Sequence, residues 1–312
     1  MRVLITGAAG FLGRAFLRHH LVAGDDVTAV DDLSATGSFW IDGDYERVED
    51  DAALCFAFWA VTARPFDLAY HFAAPVGGRV KIEGDPLYNA HSLALDSAFF
   101  RWAPGNVATA VYPSSSAVYG IGLQRGDGQA LYEELFDPTA DLWPQPDQMY
   151  GFTKMAGEVL ASHAAKYGLN TLCLRPFSGY GEEQSMDYPV PSICRRAANH
   201  EDPLVVWGSG HQTRDFIHVS DIVGATEALL ARGIHGYESV NVGSGIATSF
   251  VEVAQRAAAI CGYSPTIQTD DTKPEGVTSR FSDPSRMLSV YHPLVSLDEG
   301  LARIIRSLDP EA

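Results

Sequence analysis

The sequence predicts an α/β protein: a doubly wound parallel sheet followed by a smaller C-terminal α/β domain. Three observations carry that expectation. The first 32 residues read as strand, glycine turn, helix, strand and acidic end. Strands and helices then alternate as far as Gly181, the pattern of a parallel sheet with helices on both faces. Beyond Gly181 the chain changes to proline-rich connections and shorter elements.

Arg2-Val3-Leu4-Ile5-Thr6 is a short, apolar, β-branched run that stops at Gly7-Ala8-Ala9-Gly10-Phe11-Leu12-Gly13. Phe11 to Val22 carries apolar residues at helical spacing and ends before Gly24, where a left-handed cap is expected. A second strand, Val27 to Val30, runs into Asp31-Asp32. The three glycines serve different ends. Gly7 makes the turn, Gly10 lets backbone N–H groups approach a pyrophosphate, and Gly13 lets helix and strand pack closely. The helix start, at Phe11 and Leu12, then attracts the anion. Asp31 follows Gly13 by 18 positions, near the offset of about 20 at which a carboxylate accepts from the adenosine ribose. A carboxylate there, with Asp32 beside it, repels a 2′-phosphate, so NAD is expected over NADP. A glycine turn alone is compatible with no ligand; the register of the whole unit favours a dinucleotide-binding Rossmann fold.

The net charge of −17 argues against nucleic acid and anionic membrane surfaces, both of which need a basic footprint. A hydrophobic share of 46% and a charged share of 20% are those of an ordinary globular chain. Cys55, Cys173, Cys194 and Cys261 show neither CxxC spacing nor nearby histidines, so no disulfide frame and no metal site is expected. The longest apolar run, Ala52 to Ala63, is far short of the roughly 20 residues that span a bilayer. A cytoplasmic address is consistent with these features.

After a polar loop, Ser34 to Asp44, comes Asp50-Asp51, where Asp51 either faces the adenine or caps a helix. Asp67 to Phe72 is the next buried strand, and Phe72-Ala73-Ala74 at its end leaves room for a cofactor. A long helix is expected from Asp85 to Trp102 and a strand from Val107 to Tyr112, ending in Ser114-Ser115-Ser116. Ile121 to Gln148 has no period and is longer than ordinary loops; it is either a lid carrying Tyr132, Phe136 and Trp143 to a substrate or a surface ornament. Tyr150 opens a helix running to about Tyr167, and Thr171 to Leu174 is a strand. Helices follow at Pro189–Asn199, Asp221–Ala231, Ser249–Ala259 and Leu297–Ser307, with strands at Leu204–Trp207 and entering Phe216. The expected division is a cofactor domain over 1–175, with returns near 215–245, and a mainly substrate-binding domain over 176–312.

Tyr150 and Lys154 share a helix face at i and i+4. A phenol has a reference pKa near 10, and lowering such a value by about three units takes ~4 kcal/mol of differential stabilisation. A lysine ammonium one turn away and a positive nicotinamide supply suitable charges. Ser115, at a strand's carboxyl end, can donate to a substrate hydroxyl or carbonyl. Base, activator, orienter and hydride acceptor make an alcohol–ketone redox site. Each piece alone is commonly a solvated face or a turn; their combination with the Gly7–Gly13 turn is not.

These motifs resemble the extended short-chain dehydrogenase/reductases, in the NAD-dependent epimerase/dehydratase family that modifies nucleotide sugars. The matching residues are Gly7 to Gly13, Ser115 within Ser-Ser-Ala-Val-Tyr-Gly, Tyr150 with Lys154, Arg175 to Gly181, and Gly208 to Phe216 followed by Val219 and Asp221. Val76-Gly77-Gly78 and Thr272-Lys273-Pro274-Glu275-Gly276 bear a weaker similarity to the branch of GDP-mannose 3,5-epimerase and GDP-fucose synthase. The resemblance implies that Tyr150 takes the sugar hydroxyl proton, Ser115 assists, and Lys154 tunes Tyr150 and holds the nicotinamide ribose. It also implies cofactor contacts at Phe72, Ala73, Ala74 and Pro176, and a nucleotide-diphosphate sugar gripped by Arg214 and Arg280, with Ser116 and Ser178 alongside. The alternative for Arg214 is an ion pair with Asp215 or Asp221. A homodimer through helices 85–102 and 149–167 is implied as well.

Departures narrow the chemistry. Ser116 and Ala117 stand where dehydratases place an Asp-Glu pair, and Ala117 stands where the 3,5-epimerases place a cysteine. Ser92 occupies a position that is commonly asparagine, and Ser178 another such position. The expected activity is C4 epimerisation through a transient 4-keto sugar, with Glu182 and Glu183 open as proton carriers. Rival expectations are a dehydratase, decarboxylase or 4-keto reductase on the same scaffold, or a non-catalytic NAD-sensing protein.

Overall fold

The computed structural model describes residues 1–35, 37–59, 65–126 and 128–308. The strands are β1 (Arg2–Thr6), β2 (Asp26–Asp31), β3 (Glu46–Glu49), β4 (Phe66–His71), β5 (Val107–Pro113), β6 (Asn170–Pro176), β7 (Ser178–Tyr180), β8 (Leu204–Trp207), β9 (Thr213–His218), β10 (Tyr237–Val242), β11 (Ala247–Ser249), β12 (Ile267–Asp270) and β13 (Ser279–Arg280). The helices are α1 (Phe11–Ala23), α2 (Ala52–Phe58), α3 (Arg79–Gly84), α4 (Pro86–Ala90), α5 (Ser92–Trp102), α6 (Gln148–Ala165), α7 (Pro189–Ala198), α8 (Val219–Arg232), α9 (Phe250–Ile260), α10 (Ser285–Leu288) and α11 (Leu297–Leu308).

Seven parallel strands form the main sheet in the order β10-β6-β5-β4-β1-β2-β3. Alternate side chains explain its two covers. Val3, Ile5, Val27, Ala29 and Tyr70 point to the face packed by α1 and α8, with Phe16, Leu17, Ile222 and Leu229 buried there. Leu4, Val30, Ala69, Ala110 and Cys173 point to the opposite face, against Phe56, Phe99 and Ala161 of α2, α5 and α6. Near-continuous apolar runs are what a sheet covered on both faces requires. Strand order runs outward from β1 in both directions, so a crevice opens between the carboxyl ends of β1 and β4, the place where such sheets bind ligands.

Beyond Pro176, the elements other than α8, α10 and β10 build a second layer beside those strand ends. β9 pairs with β7, β11 and β13, and β8 pairs with β12. A third apolar cluster, including Ile193, Val206, Phe250, Val253 and Leu301, packs α7, α9 and α11 around it.

Several elements differ from expectation. The helix expected over Asp85–Trp102 is broken at His91 into α4 and α5, with Asp85 capping α4 by accepting from the Tyr88 N–H. β3 is an edge strand that is largely exposed, so its residues carry no apolar signal. The Ala52–Ala63 run forms α2 up to Phe58, while residues 60–63 lie outside the described residues. β10 joins the main sheet beside β6 through a long sequence separation. No helix among the described residues is long and apolar enough to cross a membrane.

Candidate active site

Two cavities meet at Ser115 and Tyr150. The first, about 340 Å³, follows the carboxyl ends of β1, β2, β4 and β5. Every residue expected to hold the cofactor lines it: Gly7, Gly10, Phe11, Leu12, Gly13, Asp31, Asp32, Asp51, Phe72, Ala73, Ala74, Tyr150, Lys154 and Pro176. Gly7 takes φ +66°, and a Cβ there would lie 2.6 Å from the Phe72 carbonyl carbon. A Cβ on Gly13 would sit 2.0 Å from the Gly7 oxygen, so α1 can approach the turn only with glycine at that position. α1 starts at Gly10 with no side-chain cap, which leaves its N-terminal amides to an anion. At the other end the Asp31 carboxylate accepts from Ala9 N–H (2.9 Å) and Leu33 N–H (2.8 Å). Burial pushes its pKa up, partly offset by those two bonds. Asp32 accepts from Ser34 at 2.9 and 2.6 Å. A glycine turn, uncapped amides and two carboxylates at the end of the neighbouring strand, all lining one cavity, fit an NAD-shaped ligand. Asp51 lines the cavity and also caps α2, accepting from Ala53 N–H at 2.7 Å, so its two readings are compatible.

The second cavity, about 770 Å³, runs from Ser115, Ser116 and Tyr150 past Ser178, Arg214 and Arg280 to Ile193, Arg196, Val206, Trp207 and Phe250. Tyr150 is brought to Ser115 by backbone contacts between two short segments. Ser115 Oγ accepts from Ala117 N–H at 3.1 Å, which leaves its own hydrogen to donate. The Ala117 carbonyl accepts from Asp147 N–H at 2.9 Å, and a Cβ on Gly151 would stand 2.4 Å from that same oxygen. The first turn of α6 therefore lies directly on the serine turn. One turn further, Lys154 is buried, its ammonium 5.2 Å from the Tyr112 ring centroid. Gly157 completes the seat: a Cβ there would fall 1.9 Å from the Tyr112 hydroxyl oxygen, itself fixed by donating to Asp96 at 2.7 Å.

Arg214 makes neither of the ion pairs considered for it. Asp215 is occupied by the N–H groups of Ser244, Gly245 and Ser282 and by two serine hydroxyls, and Asp221 by Tyr291, Leu294 and Val295. The guanidinium instead donates to the carbonyls of Thr213 (2.7 Å), Val277 (2.9 Å) and Glu275 (3.3 Å). Burial, with the charges of Arg280 and Arg79 adding to it, presses its pKa down to about 9. At neutral pH it is a cation surrounded by carbonyls and other cations, which is the setting an anion relieves. Arg280 donates to Asp147 at 2.7 Å and also bonds Gln124.

Glu182 and Glu183 line neither cavity. His218 bonds Glu182 at 3.1 Å, and Arg14 and Arg18 hold Glu183. Ser92 is buried away from both cavities. In the Ile121–Gln148 segment Phe136 is buried, Tyr132 and Trp143 are about half exposed, and none of the three lines either cavity. Arg175 pins the segment by donating to the Glu133 and Phe136 carbonyls, both at 2.8 Å. Asp147, near its end, does line the second cavity.

Several lining residues were not singled out from sequence: Arg79, Asp147, Arg196 and Trp207 in the second cavity, and Tyr88, His91 and Tyr188 in the first. Trp207 ends an apolar strand and is 42% exposed; an aromatic at the carboxyl end of a strand is the signal that could have found it.

A model of the NAD dependent epimerase/dehydratase family matches residues 3–243, and the chain belongs to that family. It is an NAD-dependent, nucleotide-sugar-modifying enzyme of the epimerase, dehydratase and reductase group. It is 30% identical over 304 residues to a dTDP-4-dehydro-6-deoxy-D-allose reductase of Streptomyces sp, covering 92% of this chain and 90% of that one. It is 28% identical over 327 residues to the GDP-L-fucose synthase of Escherichia coli (strain K12), covering 96% and 94%. Among solved structures it is similar to MoeE5 in complex with UDP-glucuronic acid and NAD, at 29% identity, TM-score 0.80 and full coverage of both chains.

Proposed function

We propose that this protein inverts C4 of a nucleotide-diphosphate sugar through a transient 4-keto intermediate. The observation that carries the reading is the junction of the two cavities at Ser115 and Tyr150, with the turn of α6 pressed on the serine turn. Gly7, Gly10, Gly13, Asp31 and Asp32 would hold NAD, with Lys154 on the nicotinamide ribose. NAD held there would supply the hydride acceptor for C4 and the hydride donor to the opposite face of the 4-keto sugar. Tyr150 takes the proton from the C4 hydroxyl, and Ser115 donates its free hydrogen to the same oxygen. The buried ammonium of Lys154 favours the phenolate while the proton is away. Arg214 and Arg280 grip the diphosphate, and Ser116 and Ser178 line the sugar's place.

C4 is favoured over C3, C5 or elimination by what stands beside Ser115. Ser116 and Ala117 supply no acid or base, and Glu182 and Glu183 are bonded elsewhere. A second reading, a 4-keto reductase, is favoured by the 30% identity to the allose reductase. Two carboxylates at the ribose end weigh against a phosphorylated cofactor and so against a separate NADPH-driven reduction. Exposed Leu87 on α4 and Phe152 on α6 support a homodimer through that face, and four unpaired thiols suit a reducing cytoplasm.

Incubation with UDP-, GDP-, dTDP- and CDP-sugars, followed by NMR, should reveal C4 inversion with no net change in NADH. Tyr150→Phe should lower the rate by about 10²–10⁴-fold while NAD stays bound. A 4-keto-6-deoxy product, or stoichiometric NADH consumption, would replace this activity with elimination or reduction.

A further inference from the structure

The second cavity holds a third guanidinium that the diphosphate reading above does not use. Val76-Gly77-Gly78 leads from the end of β4 into α3, whose first residue is Arg79. A Cβ on Gly78 would lie 2.3 Å from the Asp187 carbonyl oxygen, so the glycine lets this segment close on the far wall of the cavity. Arg79 thereby reaches the cluster. Its Nη1 donates to Asp147 Oδ2 at 2.9 Å, the oxygen that also takes Arg280 at 2.7 Å. Its Nε bonds Glu83 on the outer side. Gly276, at φ +78°, lies against Arg79 and Arg214 together: a Cβ there would stand 3.2 Å from Arg79 Cζ and 3.3 Å from Arg214 Nη2. The two glycine motifs that the Ser115–Tyr150 chemistry leaves unexplained therefore act together: they bring three guanidiniums around a single point of the cavity.

Charge decides what belongs there. Around this point three guanidiniums meet two carboxylates of the cavity wall: Asp147, which takes Arg79 and Arg280, and Glu275, which Ser209 bonds at 3.0 and 3.1 Å. Arg214 donates to backbone carbonyls rather than to either carboxylate, so positive charge is in surplus. An anionic phosphate group relieves that surplus, and a neutral sugar offers it nothing.

Resting on the reading that the cavity takes a nucleotide-diphosphate sugar, we propose that Arg79 is a third guanidinium of the diphosphate clamp. Asp147 is its positioning residue, holding Arg79 and Arg280 side by side before the ligand arrives. In the complex Arg79 donates to a phosphate oxygen that Arg214 and Arg280 leave unsatisfied, and the outer Glu83 contact keeps its stem in place.

The test is calorimetric titration of the NAD-loaded protein with UDP, GDP, dTDP and CDP, comparing the parent with Arg79→Ala and Arg79→Lys. For the nucleoside diphosphate the parent binds best, Arg79→Ala should weaken binding about ten- to a hundredfold, and Arg79→Lys less. Raising salt should narrow the difference, because the lost interaction is between charges. NAD content should match the parent and the loss should be confined to the nucleoside diphosphate, which separates a clamp residue from a merely structural one. Affinity within twofold of the parent for both variants overturns the proposal while leaving the C4 reading standing. If the parent binds none of the four, the nucleotide-diphosphate reading fails, and Arg79 with it.

Discussion

Asp147 shows how one side chain can serve the cavity and the fold together. Burial would raise its pKa, but the charges of Arg280 and Arg79 outweigh that and hold the carboxyl below the usual aspartate range. An aspartate whose folded pKa lies below its unfolded value, near 3.9, stabilises the fold above that value. The contribution is lost as pH falls through the folded pKa. The melting-temperature gap between the parent and Asp147→Asn should therefore be widest near neutrality and should close below about pH 3–4. Thermal melts across pH check this, and a gap that ignores pH would contradict it. Nothing in the sequence marks Asp147, because its two arginine partners lie 68 and 133 positions away. Tyr150 and Lys154 were legible for the opposite reason: their relation is local, one helical turn.

α6 is the element on which the proposed chemistry depends, and glycine at two of its positions sets its place. Gly151 and Gly157 remove the side chains that would hold the helix off the serine turn and off Tyr112. Gly157→Ala forces a methyl against a phenol that Asp96 fixes, so overpacking should cost about 1–3 kcal/mol. Chemical denaturation measures that, and a change below about 0.5 kcal/mol would mean Tyr112 moves freely aside. The strand-turn-helix of β1 and α1 could be read from sequence because its glycines act within one turn. The break between α4 and α5 could not, since His91 keeps an α-helical backbone (φ −58°, ψ −28°) and no proline or glycine marks the place. β3 was missed because an exposed edge strand lacks apolar alternation.

The molecule as a whole sets two cavities end to end: one over the carboxyl ends of the parallel sheet, the other beneath the layer formed by β7, β9, β11 and β13. In the first, Gly7 to Gly13 and Asp31 were legible in the sequence because a dinucleotide turn is a local motif, whereas Tyr88, His91 and Tyr188 were not. Of the second, Ser116, Ser178, Arg214 and Arg280 were anticipated through family resemblance, whereas Arg79, Arg196 and Trp207 required the fold, since their convergence comes from α3, α7 and β8 meeting across long separations. Both cavities share Tyr150, and the proposed reversible oxidation of a sugar carbon rests on that junction. The direct measurement uses the accepted nucleotide sugar labelled with deuterium at C4, followed by NMR of the product. The predicted result is a C4-inverted sugar that keeps its label at C4, formed about 10²–10⁴-fold more slowly by Tyr150→Phe. Loss of the label to solvent, or a product unchanged at C4, would contradict the account.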